Sequence, residues 1–402
     1  MAFPADSAEE VVELKCAVQC YAWGKIGLSS TVAQLAQHSF SFKLKEDKPY
    51  SELWMGTHTN GPSKVLFRKE EVLLSEWIDK NTHVLGDTVK EAFDGNLPYL
   101  FKVLSVNKAL SIQAHPSKSH AKRLHKERPD VYKDPNHKPE MAIALTAFES
   151  LCGFRPFAEI QNYVRTIPEL AFVIGEEAVD AIASGSDFEA LKITFTSLMG
   201  SSPDVVSKHL QNLVDRITKM KSSSHDISPY CGELLLRLNS QFPGDVGCFC
   251  IYFLNYITLK PDCMECMACS DNVVRAGLTP KLKDVDTLCQ MLDYGCHTKE
   301  ETIFPCRPSP SDPYVSIYDP PVPDFAVARI QIPSSCLSYK FQGLNGPSIA
   351  IMISGSGTIH KTSTNLKIDL RKGTVVFIPA NTCFELKCDG VDCEIYQAYC
   401  VL

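Results

Sequence analysis

Apolar residues change their spacing twice along this chain, and that change limits the folds open to it. From about residue 157 to 242 they recur at helical intervals. Val206, Leu210, Leu213, Val214 and Ile217 make one stripe, and Phe188, Leu191, Phe195 and Leu198 make another. On both sides the apolar runs are short and broken by Pro, Gly and Asn, the pattern of strands and turns. The expected protein is mainly β with an inserted helical domain.

Local signals sharpen this reading. Ser202-Pro203-Asp204 opens a helix, with Ser as cap, Pro at the first position and an acid in the first turn. Gly232 to Phe242 is expected as a further helix that ends near Pro243-Gly244. None of these helical faces carries a ligand pattern, so they read as packing surface. Before them, Tyr99 to Val106 and Met141 to Leu145 read as strands and Glu70 to Ile78 as a helix. From Val246 the chain reads as strand to its end. Ser348 to Ile353, Thr374 to Ile378 and Phe384 to Lys387 are separated by Gly and Pro-Ala-Asn turns, as in a sandwich or barrel. The proline-rich stretch Asp319 to Phe325 cannot be a central strand and reads as the connection into a last β domain.

At 402 residues the chain is long enough for two or three cores. A net charge of -7 opposes a broad nucleic-acid surface, which needs many phosphate-neutralising cations, but leaves room for a small anionic ligand. The opening MAFPADSAEEVVEL has acids where an export signal has bases. The longest apolar run, Gly247 to Leu259, is too short to span a bilayer. A cytoplasmic protein with no membrane or nucleic-acid partner is expected. Its 17 cysteines then read as reduced thiols, with Cys248 and Cys250 acting as small hydrophobes.

Three segments hold the residue types that do chemistry. In SIQAHP, alternation puts Ser111, Gln113 and His115 on one strand face, which suits either a metal or substrate site or a solvent face before a turn. In NHKPEMAIALT, Glu140 stands at the mouth of an apolar strand and needs a cation, either Lys138 or a metal. In ECMACSDNVVRAGLTPK, Glu265, Asp271, Asn272, Arg275 and Lys281 lie among small residues. The two cations there suit a phosphate, and an ordinary solvated loop is the other reading. Cys263, Cys266 and Cys269 imitate an iron–sulfur run, but on a strand their spacing sends successive thiols to opposite faces.

Together with QCYAWGKIG, YSELWMGTH, GNLPYLFKVLSV, LCGFRP and YDPPVPDF, these segments resemble the zinc-dependent type I mannose-6-phosphate isomerases along almost the whole chain. The resemblance implies two cupin-like jelly-roll domains plus an α-helical domain. A catalytic cupin would be formed by residues 1–156 and 243–325, the helical domain by 157–242, and the C-terminal cupin-like domain by 326–402. It implies one zinc per chain, with Gln113, His115 and Glu140 matching three of four family ligands. Arg275 and Glu265 match catalytic positions, and Ser111, Lys138 and Lys281 match substrate-side positions. Trp23 and Trp54 match aromatics around the cleft. The implied activity interconverts mannose 6-phosphate and fructose 6-phosphate and supplies mannose for GDP-mannose and glycosylation. A monomer acting on a free sugar phosphate is expected.

The chain departs from that pattern at one place. Lys260-Pro261-Asp262-Cys263 joins two flanks between which the family has a strand, an Ala-Asn turn and a Pro-His-Ala-Tyr-Leu run. The His of that run is the fourth zinc ligand and the Tyr lines the cleft. Impaired turnover is therefore expected. The alternatives are a non-catalytic isoform or a sugar-phosphate-binding paralogue on the same scaffold, or His137 standing in as the ligand. An iron-dependent cupin oxygenase would want a second histidine in a context like that of His115.

Overall fold

Strict alternation along five strands makes the first β layer. The computed structural model describes residues 11–38, 42–67, 70–145, 148–185, 188–259, 262–361 and 366–402. In it, strands Glu140–Leu145, Asp262–Ala268, Tyr99–Leu104, Glu52–Met55 and Ala17–Gln19 form an antiparallel sheet in that order. Met141, Ile143, Met264, Cys266, Phe101, Val103, Leu53 and Met55 all enter one core. Their alternating neighbours Glu140, Glu265, Lys102, Trp54 and Glu52 must face the other way. Glu265 stands opposite Lys102 and Ala142, and Lys102 opposite Trp54, so the polar residues form a row across the strands. Cys263 and Cys266 are both buried, on opposite faces of this sheet.

The opposing layer is a nine-stranded sheet that runs through the middle of the β structure. Strand Val12–Lys15 lies between Lys64–Phe67 and Val375–Ile378, with Val12 opposite Phe377 and Leu14 opposite Val65. Ile349, Ile351, Val375 and Phe377 pack toward the five-stranded sheet. Ala350, Met352, Val376 and Ile378 pack away from it, against a four-stranded sheet that includes Ser338–Phe341 and Phe384–Cys388. Three β layers thus share one central sheet, built from both the first and the last strands of the chain.

Helices Phe157–Thr166, Pro168–Ile174, Glu176–Ser184, Phe188–Gly200, Pro203–Ser222 and Gly232–Gln241 form the helical block. Ser202 accepts from the Val205 amide, capping its helix as the sequence indicates. Arg216 holds Glu169 through two hydrogen bonds of 2.7 and 2.8 Å. The core of this block continues into Val274, Ala276 and Leu278, and Ile112 and Ala114 pack against it. Those residues come from a two-stranded ribbon, Ile112–Ala114 with Val274–Gly277. A second ribbon pairs Phe148–Phe154 with Leu254–Leu259. Fold class therefore agrees with expectation: mainly β with a helical insertion.

Two stretches differ from the sequence reading. Glu70–Leu73 is a strand, paired with Lys64–Phe67, and only Leu74–Lys80 is helical. The cross-strand partner decides this, with Val72 opposite Val65. The stretch from Val246 is not strand throughout. Val246–Tyr252 is a 3-10 helix, started by Asp245 accepting from the Gly247 amide, and Val285–Met291 and Lys299–Thr302 are α-helical. Residues 247–252 are buried on every side, so the sequence there has no alternation to read. Among the described residues no helix is long and apolar enough to cross a membrane.

Candidate active site

The polar row of the five-stranded sheet faces the ribbon that carries His115. Within that ribbon Val274 pairs with Ala114 and Arg275 with Gln113. Because Ile112, Ala114, Val274 and Ala276 pack on the helical core, alternation turns Gln113 and Arg275 to the opposite side. His115 follows the strand and closes the gap, with Nε2 3.3 Å from Glu140 Oε2. Lys138 Nζ lies 3.3 Å from the other carboxylate oxygen. Burial works against the charge of Glu140. The hydrogen bond and charge of His115, then Lys138 and Lys102, outweigh it and hold the carboxyl well below its ordinary value.

The other face of the imidazole fixes its proton. His115 Nδ1 is 2.8 Å from the carbonyl oxygen of Asn272. A carbonyl only accepts, so Nδ1 donates, and Nε2 faces Glu140 with a proton when the ring is charged and with a lone pair when it is neutral or metal-bound. A lone pair and a carboxylate 3.3 Å apart repel unless a positive centre, a proton or a metal ion, sits with them. Metal bonds of about 2.0–2.1 Å at a tetrahedral angle place two donors about 3.3–3.4 Å apart, so the spacing suits both atoms on one ion. Among the described residues no third His, Cys, Asp or Glu completes a metal-holding group. Gln113, two residues before His115, remains as an oxygen donor and is exposed.

Behind this pair lies a buried charge network. Lys102 Nζ is 2.7 Å from Glu265 Oε2, with 7% and 15% of the two side chains exposed. Burial disfavours the Lys102 ammonium, yet Glu265, Glu52 and Glu140 together raise it above its ordinary value. Burial pushes the Glu265 carboxyl up, Lys102 draws it down, and Glu140 and Glu52 push it up again, for a net upward shift. Trp54 donates from Nε1 to Glu52 at 2.5 Å and lies under Lys102, whose Nζ is 5.2 Å from the ring centroid. At the rim, His58 Nε2 meets Asp271 at 3.3 Å, and the Asp271 carboxyl is lowered by that contact.

Lys102, Glu52 and His58 were not singled out from sequence, and Asn272 was named only as one of a polar set. A signal existed for the first two, since a Lys within YLFKVL and a Glu within SELWM interrupt runs that are otherwise buried. Of the expected residues, the structure brings His115, Glu140 and Lys138 into contact and sets Glu265 two residues along the sheet face from Met267, which stands opposite Glu140. Ser111 and Arg275 are half-buried and Lys281 is exposed. Burial lowers the Arg275 guanidinium from its ordinary value. Trp23 stacks on Tyr21. His137 is held by Asp324 at 3.1 Å instead of joining His115. The Lys260-Pro261 junction lies outside the described residues. Cavities of about 180 and 210 Å³ open beside Cys16 and beside Tyr399–Leu402, and these polar residues line neither.

Comparison with known proteins gives one consistent answer. Family models match for the type I phosphomannose isomerase catalytic domain at residues 11–157, its helical insertion domain at 173–254 and its C-terminal part at 316–364. The mannose-6-phosphate isomerases of Bos taurus and Homo sapiens are each 46% identical over 422 residues, covering 98% of this chain and all of theirs. Both alignments are longer than this chain, so the relatives hold positions that it lacks. A variant of phosphomannose isomerase from Salmonella typhimurium superposes with a TM-score of 0.83 at 26% identity, over 98% of this chain and all of that one. A zinc-bound mannose 6-phosphate isomerase matches with the same score, identity and coverage.

Proposed function

The chain belongs to the type I phosphomannose isomerase family, and from that membership we propose that it interconverts mannose 6-phosphate and fructose 6-phosphate. The proton moves between C1 and C2 through an enediol. The observation that carries this reading is the 3.3 Å approach of His115 Nε2 to Glu140 Oε2, with Nδ1 fixed by a carbonyl. His115 and Glu140, with Gln113 beside them, would hold a zinc ion, which when bound supplies electrophilic polarisation of a carbonyl oxygen.

The remaining steps belong to the chain's own residues. Glu265 would take up the proton, because it is buried on the site face and Lys102 fixes one of its oxygens. When Glu265 holds the proton, the Lys102 ammonium is still offset by Glu52 and Glu140 nearby. The Arg275 side chain has no hydrogen bond or ion pair among the described residues, so its guanidinium is free for the charge developing on the substrate oxygens. Ser111, Lys138 and Lys281 would receive the phosphate. Lys138 shares its ammonium with Glu140, so its part is the smaller. The same reading makes the protein a cytoplasmic monomer with no nucleic-acid or membrane partner.

We further propose that turnover by this chain is weak. Two observations support this: the alignments to the relatives are longer than this chain, and among the described residues the metal-type donors in contact number two. Losing a ligand or its support commonly costs about 10–100-fold. The test is a coupled isomerase assay with zinc content, on this chain and on a form with the family's strand-turn block inserted between Pro261 and Asp262. Turnover about 100-fold higher in the inserted form is expected, and equal turnover would refute the impairment. The two-donor shell also favours a second reading, a sugar-phosphate binder without catalysis. Mannose 6-phosphate binding with no turnover in either form would establish it.

A further inference from the structure

Asn272 lies between the two sides of the site and is 2% exposed. Its carbonyl accepts from His115 Nδ1 at 2.8 Å. Its side-chain amide donates to the carbonyl of Asp134 at 2.6 Å and to that of Asn136 at 2.8 Å. Asn136 leads through His137, Lys138 and Pro139 directly to Glu140. One residue therefore grips the segment that delivers Glu140 with its side chain, and the imidazole of His115 with its backbone.

The surrounding contacts hold this grip in one register. The Asp134 carboxylate accepts from Ser270 Oγ at 2.9 Å and from the Asp271 amide at 2.8 Å. Ser270 Oγ accepts in turn from the backbone N–H of Asn272 at 3.1 Å. The donors made by Asn272 Nδ2 fix which way its amide points. Its Oδ1 is left as the one buried side-chain polar atom without a partner among the described residues. Such an orphan acceptor is unfavourable, because it has given up water without gaining a donor. The site keeps it, so the amide is oriented for its two carbonyl contacts and not for full satisfaction.

We infer that Asn272 is a positioning residue for the metal centre, setting the tautomer of His115 and its distance from Glu140 through one clamp. This rests on the reading of His115 and Glu140 as metal donors, and adds the residue that holds them in a common frame. Ordinary packing does not require the arrangement. Asn255 is a similarly buried amide whose Nδ2 bridges the carbonyls of Phe154 and His297, neither of them a residue of the site. It supplies a matched control.

The test compares Asn272→Ala with Asn255→Ala in the full chain. In metal-free protein, the ring nitrogens of His115 are followed by 15N NMR at a pH where the imidazole is neutral. The parent and Asn255→Ala should show the Nδ1–H form, and Asn272→Ala a mixture of both tautomers. Zinc affinity, read by chelator competition, should fall about 10–100-fold in Asn272→Ala and stay within about twofold in Asn255→Ala. An unchanged tautomer in Asn272→Ala would overturn the inference. So would equal losses of affinity in both variants, which would reduce Asn272 to a structural residue. A parent chain that binds no zinc would count against the metal reading, and the tautomer comparison would still decide the role of Asn272.

Discussion

Lys102 and Glu265 face each other across neighbouring strands, their charged groups 2.7 Å apart on the polar side of a sheet whose other side is core. Each occupies a position where an apolar residue would satisfy the strand equally well. Breaking a buried pair on one side leaves an unpaired charge, at a cost of about 3–5 kcal/mol. Lys102→Ala should therefore lower the unfolding free energy by about that amount. The double change Lys102→Met with Glu265→Met should be nearly neutral in stability while abolishing turnover. Urea denaturation and the isomerase assay on the same samples check both halves. A stable single variant would show that water reaches the pair.

His115→Ala removes the ring nitrogen that faces Glu140 and leaves the Asn272 carbonyl without a donor. Bound zinc and isomerase activity should disappear together. Metal content by mass spectrometry beside initial rates is the measurement. Activity that survives in zinc-free protein would reject His115 as a ligand.

Arg275 has lost solvent without gaining a partner among the described residues, which is worthwhile only if charge appears near it during the reaction. Arg275→Ala should reduce kcat by about 10²–10³-fold, with a smaller change in KM. Arg275→Lys should recover part of the loss. An effect on KM alone would move Arg275 to substrate binding.

Glu169 lies in the helical block, where burial would raise its carboxyl but Arg216 lowers it below the ordinary 4.5. A carboxyl lowered by folding stabilises the native state above its unfolded value and loses that contribution as pH falls through the folded one. The urea midpoint should therefore fall as pH drops below about 4.5. Glu169→Gln should start lower at neutral pH and show a flatter acid limb. An identical acid limb in the variant would mean that other carboxylates carry the effect.

What could be read from sequence follows from what leaves a local trace. The helix Pro203–Ser222 leaves a period and a cap, and both were visible. Residues 247–252 leave only an apolar run, equally suited to strand or helix. His115 stands out by sharing a strand face with Ser111 and Gln113, and Glu140 with Lys138 by standing at the mouth of an apolar strand. Asn272 contributes a backbone carbonyl, which every residue has, so its part could not be seen. The pairing of Val12–Lys15 with Val375–Ile378 was hidden as well, since no local pattern names a strand's distant partner.

That pairing ties together two strands made far apart in time. Val12 leaves the ribosome early, but its partner Phe377 follows only after some 365 further residues. At about 5–20 residues per second the first strand waits on the order of 20–70 s for one of its two neighbours. During that time its free edge, and the apolar face beneath it, are open to chaperones or to the same strand on another nascent chain. A ribosome that stops before Val375 releases a protein whose opening strand has one edge permanently unpaired. Loss of a strand near residue 375 is thus felt at Val12–Lys15, far away in sequence.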